Sequence, residues 1–265
     1  MLLAFDLDKT VVTSDYRLPD RVRRSIAAAR EAGHAVTVLT GRSEASAREF
    51  LDLLAVSGPY STNHGARVVG KDGELLRQSV LEAGTVQDLL RRYGHIPGLE
   101  SSCSAHNKLF VRDPADERWK WAHTLEHELV ALGSYRDEPA DKFVFACEDG
   151  VSEMHRELLG SLPGLTYYLW EDRYLEITAA DADKGSALAL IAAALGYDRG
   201  ETVAFGDGVN DVSMIAWAGR GVAVGFAHED VLALADEHIR EPEAYGVAEW
   251  IEENLLEVAA GPSRG

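Results

Sequence analysis

Leu2-Leu3-Ala4-Phe5-Asp6-Leu7-Asp8-Lys9-Thr10 decides how the chain is read. Four consecutive apolar residues mark a strand buried on both faces, and the polar run after them marks the loop at its carboxyl end. Downstream, Asp20 can cap a helix in which Val22, Ile26 and Ala29 share one face and Gly33 makes the stop. Ala35 to Leu39 reads as a second buried strand, ending at Thr40. Ser43 then opens a helix with Ala47, Phe50, Leu51 and Leu54 at helical spacing, closed by Gly58-Pro59. This alternation predicts parallel strands with helices on both faces.

The rhythm breaks between about residues 80 and 180. Strands are expected at Lys108 to Arg112, Phe143 to Cys147, Leu165 to Trp170 and Arg173 to Ile177, the last two forming a hairpin through Glu171-Asp172. Helices are expected over Pro114 to Leu132 and Val151 to Leu159. The βα rhythm resumes with a helix capped by Asp183 that carries Leu188, Ile191, Ala192 and Leu195 on one stripe and ends near Gly196. Strands at Thr202 to Phe205 and Gly221 to Val224 follow, then an acidic helix from Val247 to Val258. The fold class expected is α/β: a Rossmann-like parallel-sheet core, residues 1–80 and 181–265, with an α+β domain inserted at 81–180.

Composition bounds the function. The 265 residues are 46% hydrophobic and 26% charged, ordinary for a globular protein able to bury a sizeable core. A net charge of −18 argues against nucleic-acid and anionic-lipid surfaces. The two cysteines, Cys103 and Cys147, form no metal-like pair and suggest no disulfide framework. No apolar run approaches the roughly 18 residues of a membrane span, and the apolar start is too short for a signal peptide. The expectation is a cytoplasmic protein; its oligomeric state is not readable.

Four polar motifs carry the chemistry: Asp6-Leu7-Asp8-Lys9-Thr10, Thr40-Gly41-Arg42, Asp183-Lys184-Gly185 and Gly206-Asp207-Gly208-Val209-Asn210-Asp211. Ligands of an open parallel sheet gather beyond the carboxyl ends of its strands, where Asp6, Thr40 and Asp207 each follow a predicted strand. Two acids at a strand end are costly together without a cation, and Asp6, Asp207 and a loop carbonyl would suit magnesium. In that arrangement Asp6 is the candidate nucleophile toward phosphorus, and Asp8 the candidate acid and base. Thr40-Gly41-Arg42 offers a hydroxyl and open backbone amides to an anion. Lys184, in the first turn of a helix, conflicts with the helix dipole unless an anion is bound there. Asp207 is the candidate direct metal ligand, Asp211 an indirect or water-bridged one, and Asn210 a hydrogen-bonding partner for substrate or phosphate.

These residues resemble the haloacid dehalogenase-like superfamily of phosphohydrolases, and in particular its Cof-type branch, whose α/β cap (type IIB) is inserted between the second and third motifs. The resemblance covers nearly the whole chain. It implies a magnesium-dependent phosphatase acting on a small phosphorylated metabolite, such as a sugar phosphate, through an aspartyl-phosphate. By position, it makes Asp6 nucleophile and metal ligand, and Asp8 the acid/base whose carbonyl also binds magnesium. Thr40 and Lys184 match phosphate binders, with Leu7, Gly41 and Arg42 beside them; Asp207 matches the magnesium ligand, Asp211 stands with it, and Asn210 matches a substrate contact. Two departures stand out: Lys9 replaces the usual glycine, and the family's Asn-Gly-Ala segment appears as Asn63-His64-Gly65-Ala66, with an added histidine.

Rival readings are a sugar phosphomutase using the same nucleophile and a non-enzymatic phospho-acceptor of receiver type. The insert at 81–180 counts against the receiver. A resemblance of the first and last motifs to P-type ion pumps fails for want of membrane helices. His123-Thr124-Leu125-Glu126-His127 matches a zinc-peptidase pattern but lacks a third ligand. Trp119, Trp121, Tyr167, Tyr168 and Trp170 read mostly as the core of the inserted domain.

Overall fold

The computed structural model describes residues 1–106, 108–119, 128–136, 138–162, 164–170 and 172–256. The chain forms two compact units: one of residues 1–41, 47–76 and 183–265, the other of 42–46 and 77–182.

The first unit is built on a parallel sheet whose strands run in the order Glu237–Ile239, Arg220–Val224, Thr202–Gly206, Leu2–Phe5, Ala35–Val38. Its central strands are apolar on both faces, as a sheet covered on both sides requires. Leu3, Phe5, Val203, Phe205, Val222 and Val224 join one core with Val22 and Ile26 of the helix Asp20–Glu31, Phe50 and Leu51 of Glu44–Leu53, and Trp250 of Gly246–Ile251. Leu2, Ala4, Ala204 and Ala223 point the other way, onto Leu188 and Ile191 of Lys184–Leu195 and Met214 and Ile215 of Val212–Trp217. Phe5 stacks on Phe205 at 4.8 Å, and Phe205 meets Trp250 edge-on at 5.0 Å. The helix expected to start at an Asp20 cap has Pro19 at that position, with Asp20 as its first residue. Pro19 has the extended backbone the cap needs, and Asp20 instead favours the positive end of the dipole. A small sheet, Tyr60–Thr62, Arg67–Val69 and Leu75–Gln78, follows the second helix.

The second unit carries a sheet in the order Leu165–Trp170, Tyr174–Ala179, Lys142–Ala146, Glu100–Ala105, Lys108–Val111, Glu128–Ala131. All neighbours are antiparallel except the last pair. The hairpin expected at 165–177 is present, with Trp170 opposite Tyr174. Cys103, Phe143, Phe145, Leu175 and Ile177 pack under the helices Ala83–Tyr93 and Ser152–Ser161. The opposite face is mixed: Leu109, Val111, Trp119 and Val144 form an apolar cluster, and the buried Lys142 ammonium meets Glu176 at 2.7 Å. The helix expected over Pro114 to Leu132 is not formed by the described residues there. Glu117–Trp119 is a single 3-10 turn, and Glu128–Ala131 is a strand paired in parallel with Lys108–Val111. Strand pairing at the sheet edge outweighs the local helical spacing. The His123–His127 pattern and Trp121 lie outside the described residues. The acidic helix expected from Val247 starts at Gly246 and widens into a π-type turn over Glu252–Leu256.

Phe205→Ala removes the ring that joins Phe5 to Trp250, and it should cost about 3–5 kcal/mol of stability. Urea unfolding checks this; a loss below about 1 kcal/mol would mean that the stack carries little of the core.

Candidate active site

Register brings the distant motifs together. Leu2–Phe5 lies beside Thr202–Gly206 with Phe5 opposite Phe205, so the loops beginning at Asp6 and Asp207 leave adjacent strand ends. The Asp6 amide continues the ladder, donating to the Phe205 carbonyl at 3.0 Å. The first loop then folds around Leu7, whose carbonyl accepts from the amides of Thr10, Val11 and Val12 while its side chain sits in the core. Lys9 takes a left-handed conformation, φ 60°, which explains why a glycine would serve there. A lysine at this point instead brings a charge that helps Asp207 ionise.

Lys184 is the hub. It is fully buried, and its Nζ lies 2.6 Å from Asp6 Oδ1 and 2.5 Å from Asp211 Oδ1. Asp183 caps its helix by accepting from the Ser186 amide at 2.8 Å, and the Gly185 amide donates to Ser213 Oγ at 2.9 Å. Asp211 uses its other oxygen, Oδ2, to accept from the amides of Asp207 and Gly208, both at 2.9 Å. The acid therefore closes the glycine-rich loop and anchors the lysine at once. Thr10 Oγ1 donates to Asp207 Oδ1 at 3.2 Å.

One ammonium serves several acids, and the proton affinities reflect this. Burial lifts Asp6 well above the ordinary carboxylate range; Lys184 pulls it down, while Asp211, Asp207 and Asp8 push it further up. Burial and then the charge of Asp211 raise Asp207 to about 7, against the pull of Lys184 and Lys9. For Lys184, burial disfavours the charge, but Asp211 and Asp6 outweigh it and hold the ammonium above its usual pKa. Oxygens of Asp6, Asp207 and Asp211 lie within 4.8 Å of one another, a donor set of hard oxygens suited to a small divalent cation. Asp8 stands outside that trio.

Thr40 and Gly41 follow Ala35–Val38. Thr40 is fully buried, its amide donating to Ser61 and its carbonyl accepting from the His64 amide, both at 3.0 Å. The His64 ring lies against Gly41, where an added Cβ would come within 2.3 Å of Cε1. Asn210 Nδ2 lies 3.1 Å from His64 Nδ1, so the inserted histidine joins two of the motifs. Arg42 belongs to the second unit, where its guanidinium donates to the Ser46 carbonyl at 3.1 Å. Thr10 and Ser213 contribute beyond the residues that the motifs mark as candidates. The threonine follows the strand-end acids, but no spacing marks the serine.

Comparison with known proteins agrees with this geometry. The family model for haloacid dehalogenase-like hydrolases matches residues 3–251. Putative phosphatase YkrA of Bacillus subtilis is 23% identical, the match covering 95% of this chain and 96% of that protein. HMP-PP phosphatase of Serratia proteamaculans is 29% identical over 85% of this chain and 84% of its own length. Pyridoxal phosphate phosphatase YbhA of Escherichia coli is 26% identical, with 96% and 98% covered. Among solved structures, a haloacid dehalogenase-like hydrolase from Bacteroides thetaiotaomicron superposes with a TM-score of 0.84 at 26% identity, covering 95% of this chain and 98% of the other. A HAD subclass IIB sugar phosphatase does so with a TM-score of 0.80 at 25% identity, with 95% and 98% covered. Strand order, motif placement and these likenesses coincide: the chain belongs to the haloacid dehalogenase-like hydrolases.

Proposed function

We propose that the protein is a magnesium-dependent phosphomonoester hydrolase that works through an aspartyl-phosphate on Asp6 and acts on a small phosphorylated metabolite. The observation that carries this reading is the buried Lys184 ammonium gripping Asp6 and Asp211 beside Asp207. Relatives named for HMP-PP, pyridoxal phosphate and sugar phosphates support the substrate class. The unit containing residues 77–182 is assigned the selection of the ester.

In this mechanism Lys184 fixes the orientation of the Asp6 carboxylate, and a carboxylate oxygen attacks phosphorus. The phosphorus–alkoxide bond breaks as Asp8 gives its proton to the leaving oxygen. Asp8, now ionised, takes a proton from water, whose oxygen attacks phosphorus and breaks the bond to Asp6. Orthophosphate leaves, and both acids return to their starting states. Thr40, the backbone of Leu7 and Gly41, Lys184 and Asn210 hold the phosphoryl oxygens or the ester. Asp6, Asp207 and the Asp8 carbonyl would hold magnesium directly. Asp211, with both oxygens engaged, would support the ion at one remove. The ion would neutralise charge between nucleophile and phosphate.

A panel of metabolite phosphates assayed with and without magnesium tests the class; free orthophosphate supports the hydrolase, and an isomerised sugar phosphate would indicate a mutase. Asp6→Asn should lower kcat by about 10³-fold or more with the fold unchanged by circular dichroism. Near-normal turnover would require another nucleophile. Read as kcat/KM, which reports the step that expels the leaving group, Asp8→Asn should cost about 10²–10⁴-fold on alkyl phosphates and far less on p-nitrophenyl phosphate, whose leaving group needs no proton. Equal losses on both would remove Asp8 from the acid role.

The acid cluster also sets a pH dependence. With Asp207 at about 7 in the fold against an ordinary 3.8, the native state binds more protons than the unfolded chain between those values. Stability without the ion therefore falls as pH rises through that window, and a bound divalent cation offsets the loss. Excess MgCl₂ should raise Tm more at about pH 8 than at about pH 5. An equal rise at both, or one that survives in Asp207→Asn, would place the ion elsewhere.

A further inference from the structure

We propose that His64 is a positioning residue for the hydrolysis, tying the Thr40-Gly41 backbone to Asn210 so that two substrate-facing loops keep one geometry. The proposal rests on the phosphatase reading above and adds to it a residue outside the four motifs.

Three contacts carry it, all within the first unit. The His64 amide donates to the Thr40 carbonyl at 3.0 Å, and its ring occupies the space a side chain on residue 41 would need. At Nδ1 it meets Asn210 Nδ2 at 3.1 Å. The amide group of Asn210 is the donor of this pair, which makes Nδ1 the acceptor and leaves the ring proton on Nε2. The carbonyl side of the same amide faces Gly208, where an added Cβ would lie 2.4 Å from Oδ1. Asn210 is thus held between the histidine and its own loop.

The backbone is shaped for this contact. Asn63 and His64 are both left-handed, with φ of 50° and 57°, and His64 is 1% exposed. Gly65 follows at φ 96°, with its Cα so close to the next motif that an added Cβ would lie 2.2 Å from the Asp183 carbonyl oxygen. Consecutive non-glycine residues in this region are unfavourable and persist where the surroundings over-determine them. A plain reversal between Tyr60–Thr62 and Arg67–Val69 has no need of a buried imidazole. A link between Thr40, Gly41 and Asn210 does. A displaced substrate contact costs turnover out of proportion to the energy of the link itself, because reaction geometry is narrow.

The test is steady-state hydrolysis of p-nitrophenyl phosphate, with Tm and circular dichroism recorded for each variant. His64→Ala should lower kcat/KM by about 10- to 100-fold. His64→Asn keeps an acceptor near the Nδ1 position and tolerates the left-handed backbone, so it should recover to within about threefold of wild type. His64→Gln, whose amide reaches toward the Nε2 position, should not recover. In an Asn210→Ala background, His64→Ala should add less than about twofold, since the two act as one unit. A His64→Ala enzyme within about twofold of wild type, equal rescue by Gln and Asn, or fully multiplicative losses with Asn210→Ala would each overturn the proposal. If His64→Ala does not fold, the comparison of Asn with Gln decides alone. If the wild type releases no phosphate from any ester, the phosphatase reading fails, and calorimetric binding of inorganic phosphate tests the link instead. That binding should weaken in His64→Gln and hold in His64→Asn; unchanged binding in both would overturn the link.

Discussion

The ion pairs of Lys184 with Asp6 and Asp211 are what the rest of this protein depends on. A fully buried ammonium is tolerable only when paired, and breaking such a cluster by removing one partner typically costs about 3–5 kcal/mol. The same contacts join three separate stretches of chain: the end of the first strand, the start of a helix and the close of the glycine-rich loop. Folding and chemistry therefore share one set of bonds. The cluster also carries more acid than base, so it is under electrostatic pressure that protons or a cation relieve.

Neighbouring strands make that cluster possible. Leu2–Phe5 occupies an inner position of its sheet, with Thr202–Gly206 on one side and Ala35–Val38 on the other. Asp6, Asp207 and Thr40 then emerge at one end of three adjacent strands, and sequence distance loses its meaning there. The apolar alternation of Leu3 and Phe5 against Leu2 and Ala4 fixes the register, because a one-residue slip would exchange the two cores. Packing of apolar side chains thus sets the separation of the acids.

Much of the first unit could be read from the residues alone. Its strands are short apolar runs that end in polar loops, and Asp183 and Gly196 mark helix ends with the capping and left-handed geometry that those residue types supply. The second unit was less legible for physical reasons. Glu100–Ala105, an inner strand, is rich in serine and shows no apolar alternation, so nothing local announces it. Glu128–Ala131 is defined by its pairing with Lys108–Val111, and the helix Ala83–Tyr93 carries Gly84 and Thr85 in its first turn, which mask its start. Within the site, the identities of Asp6, Lys184 and Asp207 were legible as motifs. The double engagement of Asp211, the Thr10 bond to Asp207 and the seat of His64 were not, because each depends on a partner far along the chain.

The inner placement of the N-terminal strand has a consequence for biosynthesis. Leu2–Phe5 is made well before one of its two flanking strands, which begins at Thr202. Until that strand emerges, the edge of the nascent sheet stays open, and Asp6 lacks Asp207 and Asp211 although Lys184 has already been made. The ammonium of Lys184 is thus in place before the acids that share it, and the centre closes only once the segment from Thr202 to Asp211 has been made.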